Sequence, residues 1–124
     1  MSHTITQIPS PRIQHYNPTR NLGQQQDSHR WNRAWALIPH LATHLRQQFG
    51  ATQIKVFGSA IDRRYYTHHS DIDLVAWGIP PHHFYRALHE LNTFSPDFEI
   101  DLIDGDRISL PRLQHAIDTE GIPV

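Results

Sequence analysis

One stretch of the chain, residues 56–74, constrains the fold more than any other. An apolar run there ends at Gly58-Ser59, a polar loop follows, and a second apolar run opens with Asp71-Ile72-Asp73. Residues two apart in an extended strand point to the same face of a sheet. We therefore expect Asp71 and Asp73 to place two carboxylates side by side on one face, while Ile72 turns the other way into a core.

These residue types in this order predict a site for metal and phosphate. Two neighbouring carboxylates repel each other unless a positive charge lies between them, and for hard oxygen ligands the simplest such charge is Mg²⁺. Gly58 has no side chain to keep a phosphate away from backbone N–H groups, and Ser59 adds a hydroxyl donor. Either feature alone is common in strand ends and surface loops. Together they indicate phosphoryl or nucleotidyl transfer.

Length and composition narrow the class of protein. A chain of 124 residues is expected to form one domain with a single core. Its net charge of −1 disfavours a general nucleic-acid binder, so no direct contact with nucleic acid is expected. It has no cysteine, which excludes disulfides and thiolate metal sites and fits a reducing cytoplasm. With no apolar run of membrane-spanning length, we expect a soluble cytoplasmic protein that does not contact the membrane.

The first thirty residues differ from the rest of the chain. Residues 1–30 are polar, with three prolines and a run of glutamines at 24–26. Such a segment buries too little apolar surface to offset its ordering entropy, so it is predicted to be a flexible arm. A few apolar residues, among them Ile13 and Tyr16, leave open an arm that orders on a partner. Residues 31–124 are the predicted domain.

The pattern of apolar residues predicts a mixed α/β fold. A helix is expected over residues 31–49, capped by Asp27 or Ser28 and ended by Gly50, with Pro39 kinking it or dividing it in two. Strands are expected over 53–57, 72–77 and 98–103, and further helices over 81–91 and 108–117. The fold class is therefore α/β (α+β), a small mixed sheet of three or more strands with helices packed on one face.

The third predicted strand contains two acids that could supply a further carboxylate. Glu99 and Asp101 would point to the same face of that strand, so either one is able to reach a cation bound by Asp71 and Asp73. Asp101 is preferred because the strand continues beyond it into Leu102 and Ile103, and Glu99 remains the alternative.

Other polar residues near the motif have less certain roles. Arg63 and Arg64 lie in the loop, and a guanidinium binds phosphate oxygens well. Tyr65 and Tyr66 would either stack on a base or lie on the surface. The chain has eleven histidines. The best-spaced of them are expected to be exposed on a helix or in loops rather than to bind metal: His40, His44, His68, His69, His82 and His83.

The combined motif resembles that of a known family. Gly58-Ser59, an eleven-residue loop, Asp71-Ile72-Asp73 and an acid between apolar residues at 101 are similar to the signature of the minimal nucleotidyltransferases (MNT), the smallest members of the polymerase-beta-like superfamily. The resemblance covers roughly residues 35–124. The chain departs from it at Ala60-Ile61-Asp62, where relatives commonly place an arginine soon after the serine.

The resemblance implies roles for particular residues. The catalytic acids that also bind two Mg²⁺ ions would be Asp71, Asp73 and Asp101. The residues that bind the nucleotide, ATP, would be Gly58, Ser59, Arg63, Arg64 and Ser70. Ser70 is usual at its position in the family, although it is also a common turn residue. The third acid would help to deprotonate the attacking hydroxyl.

The resemblance also implies an acceptor and a partner. Antibiotic and tRNA nucleotidyltransferases carry an accessory substrate domain, for which this chain has no room. Small members of the family often act as antitoxins that transfer AMP from ATP to a tyrosine of a HEPN-class ribonuclease toxin and silence it. We therefore expect AMPylation of such a toxin within a hetero-oligomeric toxin–antitoxin pair. The alternatives are transfer to a small molecule such as an aminoglycoside, and a non-catalytic antitoxin that blocks its partner sterically.

Overall fold

The computed structural model describes residues 26–124, which form three helices and four strands. The helices are α1 (Ser28–Phe49), α2 (Pro81–Leu91) and α3 (Pro111–Glu120). The strands are β1 (Gln53–Phe57), β2 (Ile72–Trp77), β3 (Ile100–Asp104) and β4 (Ile122–Pro123). The predicted arm, residues 1–30, lies outside the described residues except for its last five. The mixed α/β class is confirmed.

The four strands form one mixed sheet in the order β3-β2-β1-β4. Strands β2 and β3 are parallel, and the other two pairs are antiparallel. The parallel pair is joined by a long connection containing α2, as a parallel pair requires. β1 and β2 have the predicted bounds, whereas β3 begins two residues later than predicted, at Ile100. β4 was not predicted individually, because two residues that include a proline carry no strand pattern.

Helix α1 begins three residues earlier than its apolar periodicity predicted. The carboxylate of Asp27 accepts a hydrogen bond from the backbone N–H of Arg30 at 2.8 Å and so caps the helix at Ser28. Gly50 ends the helix in the left-handed conformation, with φ of 74°. The residues at both ends of the helix are therefore those that the sequence predicted. Of the two candidates for the N-terminal cap, Asp27 rather than Ser28 is the cap.

Pro39 does not divide α1, which runs unbroken from Ser28 to Phe49. The prediction of two separate helices is therefore wrong. A proline inside a helix removes one backbone hydrogen bond. Here the neighbouring residues Ile38 and Leu41 are both fully buried in the core, while Pro39 itself is exposed. Packing on both sides of Pro39 supplies more stability than one missing hydrogen bond removes.

Helices pack on both faces of the sheet, so the prediction that they lie on one face is wrong for α3. α1 and α2 cover the face that carries Ile54, Leu74 and Leu102. β1, β2 and β3 also carry apolar residues on the opposite face of the sheet. A second buried cluster forms there, and it consists of Phe57, Val75 and Ile103 from the sheet with Leu113 and Ile117 from α3.

One predicted surface histidine joins two helices. Nε2 of His44 lies 2.7 Å from Oε1 of Glu90 in α2, and the His44 ring packs against the rings of Phe49 and Phe94. The expectation of a solvent-facing His44 is therefore wrong, whereas His40 is exposed as predicted. His44 is partly buried because α1 and α2 lie close together at this position.

The remaining histidines need one further correction. His68 and His69 are exposed in the loop before β2, as predicted, but the pair at positions 82 and 83 belongs to the first turn of α2 rather than to a loop. Pro81 occupies the first position of that helix, as its sequence position predicted. Within residues 26–124, no helix combines the length and apolarity that a membrane crossing requires.

The outer side of β3 is covered at its start by a side chain. The amide of Asn92, which follows α2, donates a hydrogen bond to the carbonyl of Ile100 at 2.9 Å. Its side-chain oxygen accepts one from the N–H of Ile100 at 2.8 Å. Asn92 thus makes the two hydrogen bonds that a neighbouring strand would make at this residue.

Candidate functional site

Two of the predicted carboxylates lie side by side in the sheet. Asp73 in β2 and Asp101 in β3 are register partners in the parallel pair, whose backbones are about 4.8 Å apart. Asp73 is 5% exposed and Asp101 is 0% exposed. Like charges directly opposite each other destabilise a sheet. This buried pair is therefore the first place to look for a functional site.

The other two acids lie at the same end of the sheet. Asp71 immediately precedes β2, and Glu99 immediately precedes β3, whose register begins with Ile72 opposite Ile100. Continuing that register by one residue places Asp71 next to Glu99, and both residues are partly exposed. Asp101 lies inside β3 opposite Asp73, whereas Glu99 lies just before the strand. The choice of Asp101 as the third carboxylate stays a prediction.

The Gly-Ser turn borders the carboxylate pair directly. Gly58 has φ of +77°, a conformation that residues with a Cβ rarely adopt. A Cβ added to Gly58 would lie only 2.4 Å from Oδ2 of Asp73. The sequence motif predicts that this glycine lets a phosphate approach the backbone. The structure adds a second reason for it, since the Asp73 carboxylate occupies the space that a side chain would need.

Helix α1 fixes the beginning of the loop that joins the two motifs. The indole N–H groups of Trp31 and Trp35 both donate to the backbone carbonyl of Ala60, at 3.0 Å and 2.9 Å. Ala60 follows Ser59 directly, so these two hydrogen bonds hold the Gly-Ser turn against the helix. The sequence carries no sign of this role, because the acceptor is a backbone group 29 residues from Trp31 and 25 residues from Trp35.

Helix α1 also fixes the end of the same loop. Nε and Nη2 of Arg30 donate to the carbonyl of Ser70, at 3.2 Å and 2.9 Å, and the Arg30 guanidinium lies over the ring of Phe98. The hydroxyl of Tyr66 donates to the carbonyl of Asp71 at 3.2 Å. Both ends of the loop, next to Ser59 and next to Asp71, are therefore held by long-range hydrogen bonds.

The two loop tyrosines differ. Tyr66 has no exposed surface, so it does not stack on a bound base, and burial raises the pKa of its hydroxyl far above the usual range. Tyr65 is partly exposed, and its ring lies near the guanidinium of Arg64. The sequence left open whether these tyrosines stack on a base or lie on the surface. Tyr66 does neither, because it is buried in the core of the loop.

Ser70 uses its hydroxyl inside the loop. Its side-chain oxygen accepts a hydrogen bond from the N–H of Thr67 at 3.0 Å and lies 3.4 Å from the Thr67 hydroxyl. The side chain is buried, with 9% of the residue exposed. These contacts match the role of a turn residue, which was the alternative to nucleotide binding at this position.

The two loop arginines are placed differently with respect to a phosphate. Nη2 of Arg64 lies 2.6 Å from Oδ2 of Asp62, and this hydrogen bond lowers the pKa of the Asp62 carboxyl. Arg64 would have to leave that carboxylate to bind a phosphate. Arg63 is exposed, with its guanidinium 5.9 Å from the ring centre of Trp31. Of the two, Arg63 is the better candidate for phosphate binding.

The donor set fits magnesium, although the side chains are not gathered into a closed site. Across residues 26–124, no three or more His, Asp or Glu side chains are arranged as ligands of one metal ion. Mg²⁺ is usually held by one or two carboxylates together with water and substrate phosphates. The paired Asp73 and Asp101 match that number and type of donor, and Asp71 is a third carboxylate at the rim. The predicted assignment of these three residues to Mg²⁺ stays a prediction.

Comparisons with known proteins add no assignment. No model of a known protein family matches this chain, and a search of curated protein sequences finds no match.

Proposed function

We propose that this chain is a Mg²⁺-dependent nucleotidyltransferase that transfers AMP from ATP to a tyrosine hydroxyl of a HEPN-class ribonuclease toxin and so acts as its antitoxin. One observation carries the proposal: Asp73 and Asp101 are paired across neighbouring strands, and the Gly58-Ser59 turn is packed against Asp73. This adjacency supports the proposal, because a nucleotidyl transfer needs hydrogen-bond donors to the triphosphate next to acids that can hold a metal ion. The identity of the nucleotide and of the acceptor comes from the resemblance to the MNT family.

Each residue of the site has a role in this proposal. Asp71, Asp73 and Asp101 hold Mg²⁺, which when bound would offset the charge of the carboxylates and of the triphosphate. The Ser59 hydroxyl and the backbone N–H groups of the turn donate hydrogen bonds to the triphosphate. Arg63 contributes a positive charge at the exposed side of the loop. The hydrogen bonds from Arg30, Trp31 and Trp35 of α1 hold both ends of the loop. The turn and the acids therefore stay at a fixed separation, and little reorganisation is needed when ATP binds.

The proposed transfer step balances as a displacement at the α-phosphorus. The tyrosine oxygen of the acceptor forms a bond to the α-phosphorus of ATP, and the bond from that phosphorus to the oxygen bridging to the β-phosphate breaks. The electron pair leaves with pyrophosphate, and AMP remains on the tyrosine. Asp101 accepts the phenolic proton. Asp101 is suited to this role because the sheet holds it beside Asp73.

The proposal is tested by weighing the partner. The full chain is incubated with Mg-ATP and the product of the neighbouring gene as the candidate partner, and the partner's intact mass is measured. A gain of one or more AMP units is expected. Asp71→Asn should abolish the gain while leaving the circular dichroism spectrum unchanged, whereas Asp118→Asn, at an exposed position on α3, should retain it.

The other outcomes are equally informative. If the Asp71→Asn variant keeps full activity, the site assignment is wrong. Tight binding of the partner without any change of mass would instead support a steric antitoxin. Transfer of AMP to an aminoglycoside, with none to the protein partner, would support the small-molecule alternative.

A further inference from the structure

Trp31 of α1 makes two contacts with the loop between the motifs. Its indole N–H donates to the carbonyl of Ala60, the residue that follows Ser59, at 3.0 Å. The centre of its ring lies 5.9 Å from the guanidinium carbon of Arg63, within the range of a cation–π interaction. Tryptophan binds cations better than the other aromatic residues do. One side chain of α1 therefore contacts both the end of the Gly-Ser turn and the arginine that the proposed function assigns to phosphate.

The Trp31 ring is held in place, whereas Arg63 is exposed. The ring is partly buried against the main core, and its centre lies 6.1 Å from that of Trp35. A long, exposed arginine side chain loses rotamer freedom when it binds a ligand, and this loss weakens binding. Contact with a fixed ring removes part of that freedom in advance. Trp31 thus lowers the entropic cost of binding through Arg63.

The contact with Trp31 leaves the N–H groups of Arg63 available. Among the residues that the structure describes, no carboxylate forms an ion pair with Arg63, and the adjacent Asp62 is bound by Arg64 instead. A cation–π interaction uses the charge of a guanidinium and none of its five N–H donors. The chain contains a parallel in Arg30, which lies 4.3 Å from the ring centre of Phe98 and still donates two hydrogen bonds to a backbone carbonyl.

We infer that Trp31 is a positioning residue for the triphosphate of the substrate, because its ring holds the Arg63 guanidinium near the Gly-Ser turn with its donors directed to no other group. A planar guanidinium is able to bind two oxygens of one phosphate at once. The inference rests on the proposed function, which assigns a triphosphate to the turn. It adds that an aromatic residue of α1, outside the motif, sets the affinity for that triphosphate.

The inference is tested by calorimetric titration of the full chain with magnesium tripolyphosphate. Trp31→Leu and Trp35→Leu each remove an indole and one hydrogen bond to Ala60, but Arg63 lies over the ring of Trp31 and not over that of Trp35. Trp31→Leu should weaken binding about two- to five-fold more than Trp35→Leu, as expected for an exposed cation–π contact. Trp31→Phe keeps an aromatic ring and fills more of the same space, so it should weaken binding less than Trp31→Leu and guards against misfolding.

A substitution of Arg63 separates positioning from a merely structural role. In an Arg63→Gln background, Trp31→Leu and Trp35→Leu should weaken binding of tripolyphosphate by the same factor, because the guanidinium that Trp31 holds is absent. In AMP transfer, Trp31→Leu should have a KM about two- to five-fold above that of Trp35→Leu, with equal kcat. A packing defect alone would persist in the Arg63→Gln background.

Two results would overturn the inference. One is an equal loss of affinity for the two leucine variants in the native background, and the other is an excess loss for Trp31→Leu that remains after Arg63→Gln. A native chain that binds no tripolyphosphate would overturn the inference and the proposed function together. AMP transfer without coupling between Trp31 and Arg63 would refute the inference alone, whereas coupling without AMP transfer would refute the proposed function alone.

Discussion

The sharpest test of the site is the substitution Gly58→Ala. Two features of the structure make this methyl group costly. Gly58 has φ of +77°, and the added Cβ would lie 2.4 Å from Oδ2 and 3.2 Å from Cγ of Asp73. The change therefore forces either the turn or the carboxylate to move, and it does so without altering any charge.

The expected size of the effect follows from these two contributions. A residue with a Cβ in the left-handed region costs about 1–2 kcal/mol relative to glycine. Overfilling a packed site costs about 1–3 kcal/mol more, because side chains and backbone must shift. Gly58→Ala should therefore lower the free energy of unfolding by about 2–5 kcal/mol, out of a total of about 5–15 kcal/mol for a domain.

The chain contains a matched control for the first contribution. Gly50, at the end of α1, has φ of +74°, and nothing lies within 4 Å of the position its Cβ would take. Gly50→Ala should cost only the conformational part, about 1–2 kcal/mol. The difference between the two variants measures the contact between the turn and Asp73.

The assay is urea unfolding of each variant, followed by tryptophan fluorescence and circular dichroism. Asp73→Ala removes the oxygen that the new methyl group would meet, so Gly58→Ala should be about 1–3 kcal/mol less costly in that background. If Gly58→Ala destabilises the protein no more than Gly50→Ala does, the close packing of Gly58 on Asp73 is refuted, and with it the adjacency on which the proposed function depends.

Two further predictions concern the loop between the motifs. Replacing Trp31 and Trp35 together by phenylalanine should lower the free energy of unfolding by about 1–3 kcal/mol, because the partly buried Ala60 carbonyl loses both donors. Each single replacement should cost less, because one donor remains. If urea unfolding shows that the double replacement costs no more than either single one, the shared acceptor is contradicted. Burial raises the pKa of Tyr66, so its contribution to stability is complete below the unfolded pKa of about 10 and falls as the pH rises above it. The thermal midpoint of the native chain should therefore fall more steeply between about pH 9 and pH 11 than that of Tyr66→Phe, and parallel curves would contradict this role.

The sequence predicted well those features that depend on neighbouring residues. The bounds of β1 and β2 followed from short apolar runs ended by Gly58 and Gly78, and α2 began at Pro81 as expected. The alternation of side chains around Ile72 was enough to place the aspartates of its motif on the face opposite the main core. Local periodicity carries this information because each residue's face depends only on its own strand.

The features that the sequence did not reveal depend on residues far apart in the chain. The two indoles that hold Ala60, and the guanidinium that holds the Ser70 carbonyl, bind backbone acceptors, which have no signature in a side-chain pattern. The placement of α3 on the second face was missed because the apolar positions on that face are few. The effect of Pro39 on α1 was overestimated, because the sequence shows the loss of one helical hydrogen bond but not the packing of the residues on either side of the proline.

The contact between Asn92 and Ile100 has a consequence for how other polypeptides approach this protein. In the described part of the chain β3 is an outer strand, and such a strand usually invites edge-to-edge pairing with another chain. The Asn92 amide already makes hydrogen bonds to the backbone N–H and carbonyl of Ile100, the first residue of β3 that faces outward. Within β3, only Leu102 and Asp104 are left to present backbone groups on that side. A ribbon of two residues is too short a template for a stable added strand. Extension of the sheet by another polypeptide along β3 is thereby disfavoured.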